Sequence, residues 1–232
     1  MTHINIPQYT ALLLDADETL FDFLTAERQA FTQLVESFGY PCSDGMYARY
    51  HEVNRACWKR LERGEITKVS VQFDRFTETF REFGYAVDPV EASHRYREML
   101  ADCSILLPGA LDAVRALSGC FRLVIVTNGV LTTQTKRFHA SAIRPYIAAM
   151  HVSDEVGYPK PDRRFFDTVL KREGLRADEC LVVGDSLTSD ILGAYNAGID
   201  AVWVDASRSG TSTTALASIA SITELPGLLG LL

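Results

Sequence analysis

Short runs of branched and aliphatic residues recur along this chain and stop at polar or small ones: Ala11–Leu14 before Asp15, Leu123–Val126 before Thr127, Leu181–Val183 before Gly184, and Ala201–Val204 before Asp205. Uninterrupted apolar stretches of this length predict strands buried on both faces, as in a parallel sheet. Ala148–Val152 is a weaker fifth strand. Between the runs lie segments of helical period: Ala110–Leu117, Thr132–Ser141, Asp162–Glu173 with Phe165, Phe166, Val169 and Leu170 turned inward, and Ser189–Ala197 closed by Gly198. Strand and helix alternating in this way predict an α/β fold, a doubly wound parallel sheet with right-handed crossovers.

One interval breaks the alternation. From Asp22 to about Leu107 there is no strand-like run, only helix-length stretches with apolar residues three and four apart: Leu24, Phe31, Leu34, Val35 and Phe38 on one face, Phe73, Phe76, Phe80 and Phe83 on another. A separate helical domain over residues 22–100 is expected, inserted into a sheet domain made of residues 1–21 and 101–232. Pro108-Gly109 marks the return to the sheet. The Ser/Thr/Ala stretch Ser207–Ser221 reads as a loop, and the apolar tail Leu225–Leu232 as a terminal helix docked on the core.

Composition narrows the partners. A net charge of −7 argues against a broad nucleic-acid or anionic-membrane surface, which needs a concentrated basic face, so a small-molecule partner is expected. Five scattered cysteines (Cys42, Cys57, Cys103, Cys120, Cys180) form no CxxC pair, which fits a reducing cytoplasm better than a disulfide framework. Met1–Thr10 shows no basic, apolar leader pattern, and no segment approaches the ~20 apolar residues of a membrane span. A monomer or a homodimer is expected.

In an open α/β sheet, ligands gather at the carboxyl ends of the strands. Those ends carry Asp15-Ala16-Asp17, Thr127-Asn128-Gly129, Lys160-Pro161 a few residues on, and Gly184-Asp185 with Asp190 behind it. Asp15 and Asp17 alternate, so they project to one side of an extended strand end, and Asp185 should approach from a neighbouring strand. Clustered carboxylates repel and resist ionisation, so an oxygen-seeking divalent cation is the natural neutraliser, and Mg²⁺ suits few carboxylates plus water and phosphate. Thr127 offers a hydroxyl to a phosphate oxygen, and the backbone N–H groups of Asn128 and Gly129 offer a small cradle that needs glycine for close approach. Lys160, placed by a Lys-Pro-Asp turn before a helix, can balance the charge of Asp15 and phosphate. Taken one at a time, the same residues also read as caps, turns and a surface lysine.

Together, Asp15-Ala16-Asp17-Glu18-Thr19-Leu20-Phe21, Thr127-Asn128-Gly129, Lys160-Pro161 and Gly184-Asp185 with Asp190-Ile191-Leu192-Gly193 resemble the four ordered motifs of the haloacid dehalogenase (HAD) superfamily, and the helical insertion after the first motif resembles its C1 cap. The resemblance implies that Asp15 attacks phosphorus to form an aspartyl-phosphate. Asp17 would protonate the leaving alcohol and then activate water. It also implies Mg²⁺ held by the Asp15 carboxylate, the Asp17 backbone carbonyl and Asp185, with Asp190 helping, while Thr127 and Lys160 grip the phosphate.

A narrower resemblance, carried by Val53-Asn54, Trp58, Gly64-Glu65-Ile66-Thr67, Glu155-Val156-Gly157 and Asp190–Gly198, is to the YjjG-like pyrimidine 5'-nucleotidase branch. It implies hydrolysis of nucleoside monophosphates. A sugar-phosphate phosphatase or a phosphoglucomutase-like enzyme of the same superfamily is the alternative. A 2-haloacid dehalogenase is disfavoured, because that chemistry needs neither Asp17 nor a metal. For Asn54 and Trp58, one helical turn apart, a substrate-facing role and a structural one both stay open; Phe23 is a further candidate for stacking on a base. None of His3, His51, His94, His139 and His151 sits at a proposed strand end with a metal-ligand partner, and Glu18 and Asp22 read as hinge or capping residues.

Overall fold

The computed structural model describes residues 9–231. The readings of the first eight residues, His3 among them, and of Leu232 fall outside the described residues. Six strands form one parallel sheet: β1 (Ala11–Leu14), β2 (Arg122–Thr127), β3 (Ala149–Val152), β4 (Cys180–Gly184), β5 (Asp200–Val204) and β6 (Ala217–Ile219), in the order β3-β2-β1-β4-β5-β6. Every neighbouring pair is parallel, with Leu13 of β1 opposite Val124 of β2 on one side and Val182 of β4 on the other. The alternation predicted five strands. The sixth lies inside the stretch expected to be a loop, where Ala217-Ser218-Ile219 is too short and too polar in its surroundings to show a period. It exists because β5 leaves an edge, to which Ala217, Ser218 and Ile219 pair.

Two units divide the chain; the helical one is Leu24–Cys103 and the sheet unit comprises the rest. The helical unit holds α1 (Phe23–Ser37, from its second residue), α2 (Asp44–Glu62), α3 (Lys68–Glu82) and α4 (Pro89–Ala101). Local chemistry starts these helices: the side chains of Ser43, Thr67 and Asp88 accept N–H bonds at the openings of α2, α3 and α4, and Pro89 takes the first position of α4, where no donor is needed. Their apolar faces meet in an aromatic core in which Phe31 stacks on Tyr50 at 4.0 Å and Tyr96 meets Phe76 edge-on at 5.4 Å. Phe76 and Phe80 of the expected stripe are buried, while Leu24, expected on the buried face of α1, is exposed.

The sheet unit adds α5 (Ala110–Ser118), α6 (Leu131–Ala140), the short α7 (Ser153–Val156), α8 (Arg163–Glu173), α9 (Leu192–Ala197) and α10 (Leu225–Leu228). Side chains alternate across each strand, so the apolar runs feed two cores at once. Leu12, Leu14, Leu123, Ile125, Leu181 and Val183 pack on one face with α5 and the tail residues Leu225 and Leu229. Leu13, Val124, Val126 and Val182 pack on the other with Phe165, Phe166, Val169 and Ala194. Burying one such Leu or Val side chain is worth roughly 1.5–3 kcal/mol. The expected helix Ser189–Ala197 is instead two pieces, a π-helical turn over Leu187–Ile191 opened by Ser186 and then α9, stopped by Gly198 in the left-handed region. Among the described residues no helix is long and apolar enough to cross a membrane.

Candidate active site

The strand order brings the ends of β1, β2 and β4 side by side at the middle of the sheet. Asp15, immediately after β1, is buried, and its N–H donates to the Val183 carbonyl at 2.8 Å. Asp185 follows β4, and Asp190 stands in the π-helical turn, almost wholly buried. Asp15, Asp185 and Asp190 each present an oxygen, all within 4.8 Å of one another. Gly184 makes this possible, since a Cβ there would lie 2.3 Å from Asp190 Oδ2.

Lys160 is the cation inside this cluster. Only 1% exposed, it donates all three ammonium hydrogens, to Asp15 Oδ1 at 2.6 Å, Asp190 Oδ1 at 2.6 Å and the Val126 carbonyl at 2.8 Å. Asn128 holds it there by two reciprocal bonds, its Nδ2 donating to the Lys160 carbonyl at 2.9 Å and its Oδ1 accepting from the Lys160 N–H at 2.8 Å. One ammonium against three carboxylates leaves the pocket short of positive charge. Burial pushes the Asp15 carboxyl up to about 7, with Asp190 and Asp17 adding to the rise and Lys160 opposing it. Asp185 is raised well above the ordinary carboxylate range, by burial first and then by Asp15 and Asp190. Burial alone would push the Lys160 ammonium down, and the two aspartates hold it above its ordinary value instead. Hard carboxylate oxygens, close together and resisting ionisation without a further cation, fit a Mg²⁺ ion.

Asp17 stands apart from this cluster. Its Oδ1 accepts from Arg137 Nη1 at 2.6 Å and its Oδ2 from Gln134 Nε2 at 2.7 Å, so the carboxylate faces α6, and any share in holding a metal falls to its backbone carbonyl. Thr127, buried at the end of β2, accepts from the Gly129 N–H at 3.1 Å and from Gln134 Nε2 at 3.2 Å, which leaves its own proton to donate. The cradle expected from the backbone N–H groups of Asn128 and Gly129 is therefore partly turned inward, onto Thr127. Gly129 also leaves room for Gln134, since a Cβ there would lie 2.4 Å from Gln134 Nε2. Glu18 takes φ 59° in the turn after Asp17, and the Asp22 N–H donates to the Ile105 carbonyl at 3.0 Å.

Asn54 lies within the helical unit, 2% exposed, with Nδ2 donating to Glu27 Oε1 at 2.6 Å and Oδ1 accepting from Arg75 Nη1 at 2.8 Å. Its amide nitrogen and oxygen each bond a buried side chain of the same unit. Trp58 is half-buried against Val53, Cys57 and Val71. Phe23 has the Arg137 guanidinium 6.0 Å from its ring centre. No histidine joins the acidic cluster among the described residues; His151 pairs with Glu173 and His51 with Glu27. Sequence reasoning missed Gln134, Arg137 and the clamp made by the Asn128 side chain. The available signal was two polar residues on the inward face of α6, beside Phe138, where apolar ones were due.

The profile of a family described as haloacid dehalogenase-like hydrolase matches residues 9–198. The chain is 37% identical over 199 residues, covering 85% of each chain, to the HAD-hydrolase YfnB of Bacillus subtilis. YfnB's crystal structure, bound to magnesium, superposes with a TM-score of 0.91 over 96% of this chain and 99% of that one. The pyrimidine 5'-nucleotidase PynA of Streptococcus pneumoniae is 36% identical over 84% of this chain and 83% of its own, and the pyrimidine 5'-nucleotidase YjjG of Escherichia coli 32% identical over 84% and 85%.

Proposed function

Because this chain belongs to the haloacid dehalogenase-like hydrolase family, we propose that it is a Mg²⁺-dependent phosphatase that hydrolyses nucleoside 5'-monophosphates, pyrimidine nucleotides foremost, in the cytoplasm. The observation that carries the reading is a buried Asp15 paired with Lys160 at 2.6 Å, clustered with the buried Asp190 and the half-buried Asp185, with a second aspartate two residues on. The substrate class rests on the two nucleotidase relatives.

In the first half-reaction Asp15 attacks phosphorus, the ester P–O bond breaks, and the departing oxygen takes a proton from Asp17. In the second, Asp17 takes a proton from water as the water oxygen attacks phosphorus, the bond to Asp15 breaks, and phosphate leaves. Thr127 donates its hydroxyl proton to a phosphoryl oxygen. Lys160 orients the Asp15 carboxylate and favours its ionised form, and Asn128 keeps Lys160 in place. Mg²⁺ would be held by Asp15, Asp185 and the Asp17 carbonyl with Asp190 behind them, and would offset the charge gathering on the phosphoryl oxygens. Asp17 also separates this reading from carbon–halogen hydrolysis, which has no alcohol to protonate.

The test is phosphate release from a panel of nucleoside monophosphates and sugar phosphates, with Mg²⁺ and with chelator. Mg²⁺-dependent release from uridine and thymidine 5'-monophosphates, lost with chelator, is expected. Release from sugar phosphates alone would overturn the nucleotidase assignment, transfer of label to a second sugar hydroxyl would make the enzyme a mutase, and metal-independent chloride release from a halo-acid would make it a dehalogenase.

A further inference from the structure

The α6 helix starts four residues past Thr127, so its inward side chains return toward the strand ends. Gln134 and Arg137, one turn apart, are 4% and 1% exposed. A buried guanidinium is costly unless its donors are matched. Here one nitrogen, Arg137 Nη1, donates to Asp17 Oδ1 at 2.6 Å and to Gln134 Oε1 at 3.0 Å, and the group lies 4.9 Å from the Phe21 ring centre. Gln134 spends both amide hydrogens, on Asp17 Oδ2 at 2.7 Å and Thr127 Oγ1 at 3.2 Å. Each amide atom of Gln134 thus has its orientation set by a partner, and both oxygens of Asp17 are held from one helix face.

We propose that Gln134 and Arg137 are positioning residues for proton transfer: they hold the Asp17 carboxylate in place and tie it, through Gln134, to the hydroxyl of Thr127. This rests on the phosphatase reading, in which Asp17 is the acid and base. An acid/base contributes only when it is held within hydrogen-bond reach of its proton's partner. Asp17 sits in a turn that passes through Glu18 in the left-handed region, and the turn by itself leaves the rotamer of Asp17 open. The α6 pair supplies that restriction.

The leaving group separates positioning from a general loss of structure. p-Nitrophenolate departs without a proton, whereas an alkoxide needs one, and both reactions need Asp17 again when water attacks. For Arg137→Met we expect kcat on uridine 5'-monophosphate, or the best alkyl ester of the panel, to fall by about 30-fold or more, with KM within about threefold. With p-nitrophenyl phosphate, the first-turnover burst of nitrophenolate should keep its rate within about threefold while steady-state turnover falls with that of the alkyl ester. Arg137→Lys should recover part of the loss, and Gln134→Met should behave like Arg137→Met with a larger rise in KM, because it also releases Thr127. A burst that slows in step with turnover, or a change in KM alone, would overturn the proposal. If Arg137→Met does not fold, Gln134→Met decides by the same burst-to-turnover ratio. Wild-type protein inactive on every ester would instead refute the phosphatase reading.

Discussion

Both units of this chain bury charge, and they do so in opposite ways. In the sheet unit three carboxylates cluster and one ammonium pairs with two of them, so negative charge is left over and the Asp15 and Asp185 carboxyls are driven upward. In the helical unit the carboxylate of Glu27 and the guanidinium of Arg75 are bridged by Asn54, with His51 Nδ1 2.6 Å from Glu27 Oε2 and Arg75 4.8 Å from the rings of Phe76 and Tyr96. One constellation is balanced by its own residues, as a structural network must be. The other is left with negative charge in excess, and it is stable at the cost of holding protons it would otherwise lose. Imbalance of charge, more than burial of charge, distinguishes the candidate site from the structural network.

The contrast predicts that substitutions in the two places fail differently. The largest effect belongs to Asp15→Asn: phosphate release should fall by at least ~10³-fold, because the proposed nucleophile is gone, while the metal-free melting temperature stays level or rises, because one buried negative charge is removed. Comparable activity in the variant would remove Asp15 from the mechanism. Asn54→Leu should do the reverse. Leaving Glu27 and Arg75 without their bridge should cost roughly 3 kcal/mol, seen as a melting temperature lower by about 6–12 °C. A raised KM at unchanged melting temperature would instead make Asn54 a substrate contact.

Acidity offers a smaller test. An acid whose proton is held more tightly in the folded state keeps it at pH values where the unfolded chain has released it, so the metal-free protein should lose stability as pH climbs from about 4 to about 7. Glu173 and Asp205 are shifted the other way, below the ordinary carboxylate range, so their contributions are complete by about pH 5 and do not mask the slope above it. Melting curves from pH 5 to 7.5 should fall by a few degrees without metal, recover with saturating Mg²⁺, and flatten in Asp185→Asn. A flat metal-free profile in the wild type would show the acids to be ionised without help. The smallest effect is expected at Trp58→Ala, a change of about 3–10-fold in the ratio of kcat/KM between nucleotide and sugar-phosphate esters at unchanged Mg²⁺ requirement. A lower melting temperature with that ratio unchanged would assign Trp58 to the packing of Val53, Cys57 and Val71 alone.

What could be read in advance follows the range of the interactions involved. Apolar runs ending in Asp15, Thr127 and Gly184 announce strands and their polar ends, because burial on both faces imposes an unbroken pattern that stops where the strand stops. Helix caps are equally local, as Asp162 opening α8 and Gly174 closing it illustrate. The sixth strand escaped because its partner, not its own composition, makes it a strand. Gln134, Arg137, Glu27 and Arg75 escaped for a related reason: a buried polar side chain looks like a surface one until its partner is known, and Arg137 meets Asp17 across 120 positions of chain.

The amino-acid order by itself determined the alternating core, the place of the helical insertion and the acids at the strand ends, since each depends on spacing within a few residues. Only the tertiary structure decided which acids share one pocket, that Lys160 spends its hydrogens on two of them and a carbonyl, and that Asp17 faces α6 instead. Those outcomes depend on distances between strand ends fixed by the sheet order β3-β2-β1-β4-β5-β6, and electrostatic and hydrogen-bond energies vanish or dominate over a few ångströms that no local pattern encodes.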